Sequence, residues 1–138
     1  MTEGAAPPET RMCNVVLPGD TNHMGTLYGG TLMAWMDTAA GVAGMRRAGS
    51  PAVVTAAVDG LEFRVAIHAG ELVELVAVVE SVGRTSMRVR VEAHQEDPVT
   101  HARRLCTAGV FTMVAVDEEG RPTPVRAAGD GAPAGGPS

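Results

Sequence analysis

A chain of 138 residues with a formal net charge of −5 has room for one domain and lacks the basic excess of a general nucleic-acid binder. Its 11 basic residues are all arginine, which excludes a Walker-type phosphate loop and any Schiff-base or pyridoxal chemistry, since each needs a lysine. A domain near this size buries roughly two thirds of its unfolded surface, so a core can form without a metal or a disulfide.

Cys13 and Cys106 have neither C-x-x-C nor zinc-site spacing and read as buried thiols in a reducing compartment, with no metal site. The N-terminus shows no basic region followed by an apolar run, and no apolar stretch reaches the ~18 residues of a membrane span. The expected location is cytoplasmic, with no membrane and no nucleic-acid partner.

In chain order, residues 1–10 and 126–138 are rich in Ala, Gly and Pro and read as disordered tails around a single domain at 11–125. Arg11 to Leu17 suits a first strand closed by Pro18-Gly19. Thr31 to Arg47 forms the one convincing helix, with Gly30 or Thr31 as N-cap, arginines in the last turn and Gly49 just beyond the end. Strand signals follow at Val53 to Val58, Leu72 to Val82, Ser86 to Glu96 and Leu105 to Val116. In the third of these, Met87, Val89, Val91 and Ala93 alternate with Arg88, Arg90, Glu92 and His94. Asp117 to Gly120 supplies the last turn.

One long apolar helix followed by four strands with short links gives an α+β fold, an antiparallel sheet wrapped around the helix. A single helix leaves strand edges and one sheet face without partners, so a dimer or a larger assembly is expected.

At 100° per residue, Leu32, Trp35, Met36, Ala39 and Ala43 share one helix face, and Asp37 lies opposite with Ala34, Gly41 and Gly44. Each mid-helix glycine costs about 0.8–1 kcal/mol relative to alanine. Two on the face of the only acid in the helix either mark a close approach to Asp37 or are incidental to a solvent side. Before the helix, Gly29-Gly30 opens a set of backbone N–H groups that have no intrahelical acceptor and carry the positive end of the dipole. An amide at Asn22, an oxyanion donor at Gly30 and a carboxylate at Asp37 could orient water, deprotonate it and hold the developing charge. That is a set for acyl hydrolysis without a serine nucleophile, and no G-x-S-x-G elbow occurs.

The stretch Asp20-Thr-Asn-His-Met-Gly-Thr-Leu-Tyr-Gly-Gly-Thr-Leu-Met-Ala-Trp-Met-Asp37 resembles the hotdog-fold acyl-CoA thioesterases of the bacterial and cytosolic branch. Val54 to Phe63, Val82 to Met87 and Phe111 to Pro122 resemble the same branch, in the same order and spacing. The resemblance implies a hotdog fold in dimers or sets of dimers. It also implies hydrolysis of acyl-CoA, with coenzyme A belonging to substrate and product and no separate cofactor. It places Asn22 of one subunit across the dimer interface from Asp37 of the other, Asp37 acting as general base or as nucleophile, with the Gly30 N–H on the thioester oxygen.

By the same resemblance Gly29, Thr55, Arg84, Thr85, Ser86 and Arg88 contact substrate or CoA, arginine offering a planar fork of donors to phosphate. Arg64 and Arg103 are lesser candidates. His23, His68, His94 and His101 are read as noncatalytic. Ala66 and Met113 depart from the family, where proline and an aromatic are common. Two rivals share the fold: an enoyl-CoA hydratase or dehydratase, which pairs a histidine with its acid, and a noncatalytic acyl-CoA sensor.

Overall fold

The computed structural model describes residues 8–127. Strand β1 (Thr10–Val15) is followed by a 3-10 turn at Pro18–Asp20 and by helix α1 (Gly29–Ala48). Then come β2 (Val53–Asp59), β3 (Leu72–Val82), β4 (Ser86–Glu96) and β5 (Arg103–Ala115). The strands make one 5-stranded sheet in the order β1-β3-β4-β5-β2, antiparallel at every pairing. The elements and their order are those the sequence implies. Of the two expected tails, residues 1–7 and 128–138 lie outside the described residues, and Thr10 is already paired with Ala77 in the sheet.

Helix α1 lies against the sheet through Leu32, Met36, Ala39 and Ala43, all buried, while Trp35 at the margin is half-buried. Small residues along this face let the backbone come close to Leu75, Met87, Val89 and Phe111, the centre of the core. The face opposite is packed as well. A Cβ on Gly44 would stand 3.1 Å from Val53 Cγ1 and 3.6 Å from Met113 Cβ, a tight fit that glycine relieves where β2 and β5 press on the helix. The reading of that face as an incidental solvent side is therefore set aside.

The ends of α1 differ in kind. At the C-terminus Gly49 takes the left-handed conformation, φ 67°, and donates its N–H to Met45 O at 2.8 Å, the αL stop that glycine accommodates without a Cβ clash. At the N-terminus the helix starts at Gly29, and the cap position is Tyr28, two residues before Gly30 and three before Thr31, with no side-chain cap bond. The Tyr28 N–H is held by Asp20 O at 3.1 Å, and the first helical bond runs from Leu32 N–H to Tyr28 O at 3.0 Å. Gly29, Gly30 and Thr31 therefore all fall in the uncapped first turn.

Strand β2 closes one edge of the sheet, and of its seven residues all but Val53 are exposed. It is an apolar edge, VVTAAVD, without lysine or proline to discourage pairing. Cys13, expected to be buried, is exposed, because β1 is the other edge and Cys13 sits on its outward side. Cys106 is buried.

Candidate active site

Asp37 lies midway along α1, half-buried, and its Oδ1 accepts a hydrogen bond of 2.5 Å from Thr55 Oγ1. Thr55 stands two positions after Val53 on β2 and so shares the strand face that meets the helix, where Val53 lies against Gly44. The register of β2 on β5 shifts only beyond it, between Thr55 and Ala57. Behind the pair, Met113 Sδ lies 3.5 Å from Thr55 Oγ1. Among the described residues no other group bonds Asp37, which leaves Oδ2 open to water or substrate. The resemblance implied a ligand contact at Thr55; the structure adds that Thr55 orients the acid. The signal was present only as a threonine in an otherwise apolar strand.

Asn22 lies in the loop before α1 and is locked. Its Oδ1 accepts from Met24 N–H at 2.9 Å, Thr26 N–H at 3.1 Å and Thr26 Oγ1 at 3.2 Å. Its own backbone N–H bonds Thr26 O at 2.8 Å. Three donors on the oxygen fix which way the amide points, so the NH₂ group is what remains to meet a ligand. Just beyond, the N–H groups of Gly29, Gly30 and Thr31 have no acceptor among the described residues. They form a cluster of donors at the positive end of a 20-residue helix. No hydrogen bond joins the Asn22 and Asp37 side chains within the chain; their partners belong to different elements.

A cavity of about 260 Å³ adjoins this helix start, walled by Leu27, Gly29, Leu32, Phe63, Val65 and Ile67. Phe63 packs against Gly29, where a Cβ would be 3.4 Å from the ring. This contact across the β2–β3 connection had no sequence signal.

The hairpin between β3 and β4 carries the remaining candidates. Val125 N–H bonds Arg84 O at 2.8 Å, Ala115 N–H bonds Thr85 O at 3.0 Å and Gly83 N–H bonds Ser86 O at 2.7 Å, so the loop is pinned by its backbone. Arg84 and Arg88 are exposed, and their guanidinium groups have neither ion pair nor hydrogen bond among the described residues. The lesser candidates are engaged: Arg64 pairs with Glu62 and Arg103 with Glu74.

Other nucleophiles are not primed. Partial desolvation along the strand, with Glu74 and Glu96 nearby, pushes the thiol of the exposed Cys13 up, and burial raises that of Cys106. A raised thiol pKa means little thiolate. His68 lies near Glu71, His94 near Glu92 and His101 near Glu96, and no histidine among the described residues bonds Asp37. No group of three or more His, Cys, Asp or Glu among the described residues is arranged to hold a metal. No described helix is long and apolar enough to cross a membrane.

An antiparallel sheet wrapped on one long helix is the hotdog architecture. Residues 24–102 match the thioesterase superfamily, and the chain belongs to that family. It is 39% identical over 113 residues to an uncharacterized acyl-CoA thioester hydrolase of Zymomonas mobilis, covering 80% of this chain and 74% of the relative. Among solved structures, a hexameric acyl-CoA thioesterase superposes with a TM-score of 0.80 at 44% identity, covering 85% of this chain and 74% of the other. An acyl-CoA hydrolase of Staphylococcus aureus, solved with butyryl coenzyme A and coenzyme A, superposes at 0.79 with 38% identity, covering 85% and 71%. That enzyme has also been solved with an asparagine, an aspartate or a threonine replaced by alanine.

Proposed function

We propose that this protein hydrolyses acyl-CoA to a free carboxylic acid and CoA, with Asp37 as the general base. The observation that carries the mechanism is the Thr55–Asp37 hydrogen bond, which fixes one carboxylate oxygen and leaves the other free beside an exposed strand edge. Asn22, Asp37 and Thr55 match, in type and chain order, the three residues replaced in the Staphylococcus aureus enzyme.

In this reading the thioester oxygen lies against the N–H of Gly30, flanked by those of Gly29 and Thr31. Their fixed dipoles stabilise the oxyanion as it forms, without reorganisation during the reaction. Asp37 takes a proton from water as that water attacks the carbonyl carbon. The Asn22 NH₂ group, aimed by its locked oxygen, holds the water or the thioester. Collapse of the tetrahedral intermediate breaks the carbon–sulfur bond, and the proton held by Asp37 passes to the departing thiolate, which releases CoA and restores the base. No cofactor is needed. Arg84 and Arg88, free of internal acids, receive the CoA phosphates, and the pinned Thr85–Ser86 backbone holds them in place.

Docking of a second copy along β2 brings another chain to the edge that carries Thr55. Asn22 and Gly30 of one protomer then face Asp37 and Thr55 of its partner. Val54 and Val58 on β2 and Tyr28, Met33 and Phe63 around the start of α1 are exposed large apolar side chains that such a contact covers. The hydratase reading lacks its histidine beside Asp37.

Release of CoA thiol from acyl-CoAs by wild type, Asp37→Ala and Asn22→Ala proteins tests the proposal. Wild-type turnover, lost from both folded variants, is the expected result. Binding without turnover would leave a sensor instead.

A further inference from the structure

The cavity at the start of α1 gives the size of the acyl group, an inference that rests on the hydrolase reading above. A thioester carbonyl carbon bears two arms, the sulfur leading to CoA and the acyl chain. With its oxygen on the Gly30 N–H, the acyl arm lies within reach of the space next to Gly29, the preceding residue. That space is the 260 Å³ cavity. Its floor is rigid and apolar, since Leu27, Leu32 and Ile67 are all buried in the core. Its rim is the β2–β3 connection, where Phe63 rests on Gly29 and Ala66 presents only a methyl. Arg64, also at the rim, is tied to Glu62 through Nε at 2.8 Å.

We propose that this cavity seats acyl groups of about four to eight carbons, and that Phe63 and Ala66 set the upper length. An apolar cavity of ~150 Å³ admits benzene, six carbons. The same ratio allows about ten carbons in 260 Å³, fewer in a cleft that is open at its rim. A chain longer than the floor meets the Phe63 ring. Within the limit each buried methylene raises kcat/KM by about fourfold.

The test uses acyl-CoAs from two to sixteen carbons with wild type, Phe63→Ala and Ala66→Phe. For wild type, kcat/KM should climb to a maximum within four to eight carbons and then fall. Phe63→Ala should raise the ratio of twelve-carbon to four-carbon activity at least tenfold, and Ala66→Phe should lower the ratio of eight-carbon to two-carbon activity by as much. A variant that merely loses stability lowers all lengths alike, so opposite shifts report the seat. Calorimetric affinities of the same acyl-CoAs for Asp37→Ala protein read the seat without turnover. Absence of wild-type thiol release with length-dependent affinity removes the hydrolase reading and keeps the seat. Affinities flat from two to eight carbons, as when a partner's side chain fills the cavity, or profiles unmoved by both rim variants, overturn it.

Discussion

Replacing Thr55 by valine probes the site at its most defined contact. The change exchanges a hydroxyl for a methyl of nearly the same size and removes the donor that holds Asp37 Oδ1 at 2.5 Å. A hydrogen bond to a charged group contributes about 1.5–3 kcal/mol, and each 1.36 kcal/mol of barrier is a factor of ten in rate. If the bond serves the transition state, kcat should fall about 10- to 150-fold with little change in KM. Stability should hold to within about 0.5 kcal/mol, because Thr55 is an exposed position on an edge strand. Thiol release at saturating acyl-CoA, with a thermal melt alongside, measures both. Thr55→Ser keeps the hydroxyl and should recover most of the rate. The reasoning fails if Thr55→Val keeps kcat within twofold of wild type, or if the serine variant is as slow as the valine, since the methyl rather than the hydroxyl would then matter.

The unpaired guanidiniums of Arg84 and Arg88 should act through binding: the double alanine variant should raise KM for acyl-CoA about tenfold or more while hydrolysing a short thioester of N-acetylcysteamine, which carries no phosphate, as well as wild type does. Val54→Lys places a charge on the exposed apolar β2 edge; sedimentation should show dissociation, and activity should fall with it, whereas an unchanged assembly would place the contact elsewhere. Glu74 provides a pH test: burial pushes its carboxyl up, but the hydrogen bonds and charges of Arg103 and Arg11 outweigh it and hold the pKa below the ordinary value. A carboxylate depressed in the folded state stabilises it fully above the unfolded pKa, about 4.3, and that contribution is lost as pH falls through the folded value. Glu74→Gln should therefore flatten the acid side of the curve of Tm against pH, and a curve parallel to that of wild type would count against the assignment.

What the sequence by itself determined is what short-range chemistry controls. The αL stop at Gly49, the alternation of Met87, Val89, Val91 and Ala93, and the turn at Asp117 to Gly120 are each encoded within a few residues, so the helix and strands were legible nearly to their ends. The motif from Asp20 to Asp37 also brought Asn22, Gly30 and Asp37 forward as candidates before any coordinates. Only the tertiary structure decided what those residues touch. The packing of β2 on the helix brings a hydroxyl to Asp37 from 18 positions along the chain. The exposure of Cys13, the pressure of Val53 and Met113 on Gly44, and the seat of Phe63 on Gly29 depend likewise on which strand lies at which edge and how its register falls. Strand order and register minimise the free energy of the whole packed core, to which every strand contributes, and no local stretch of sequence carries that sum.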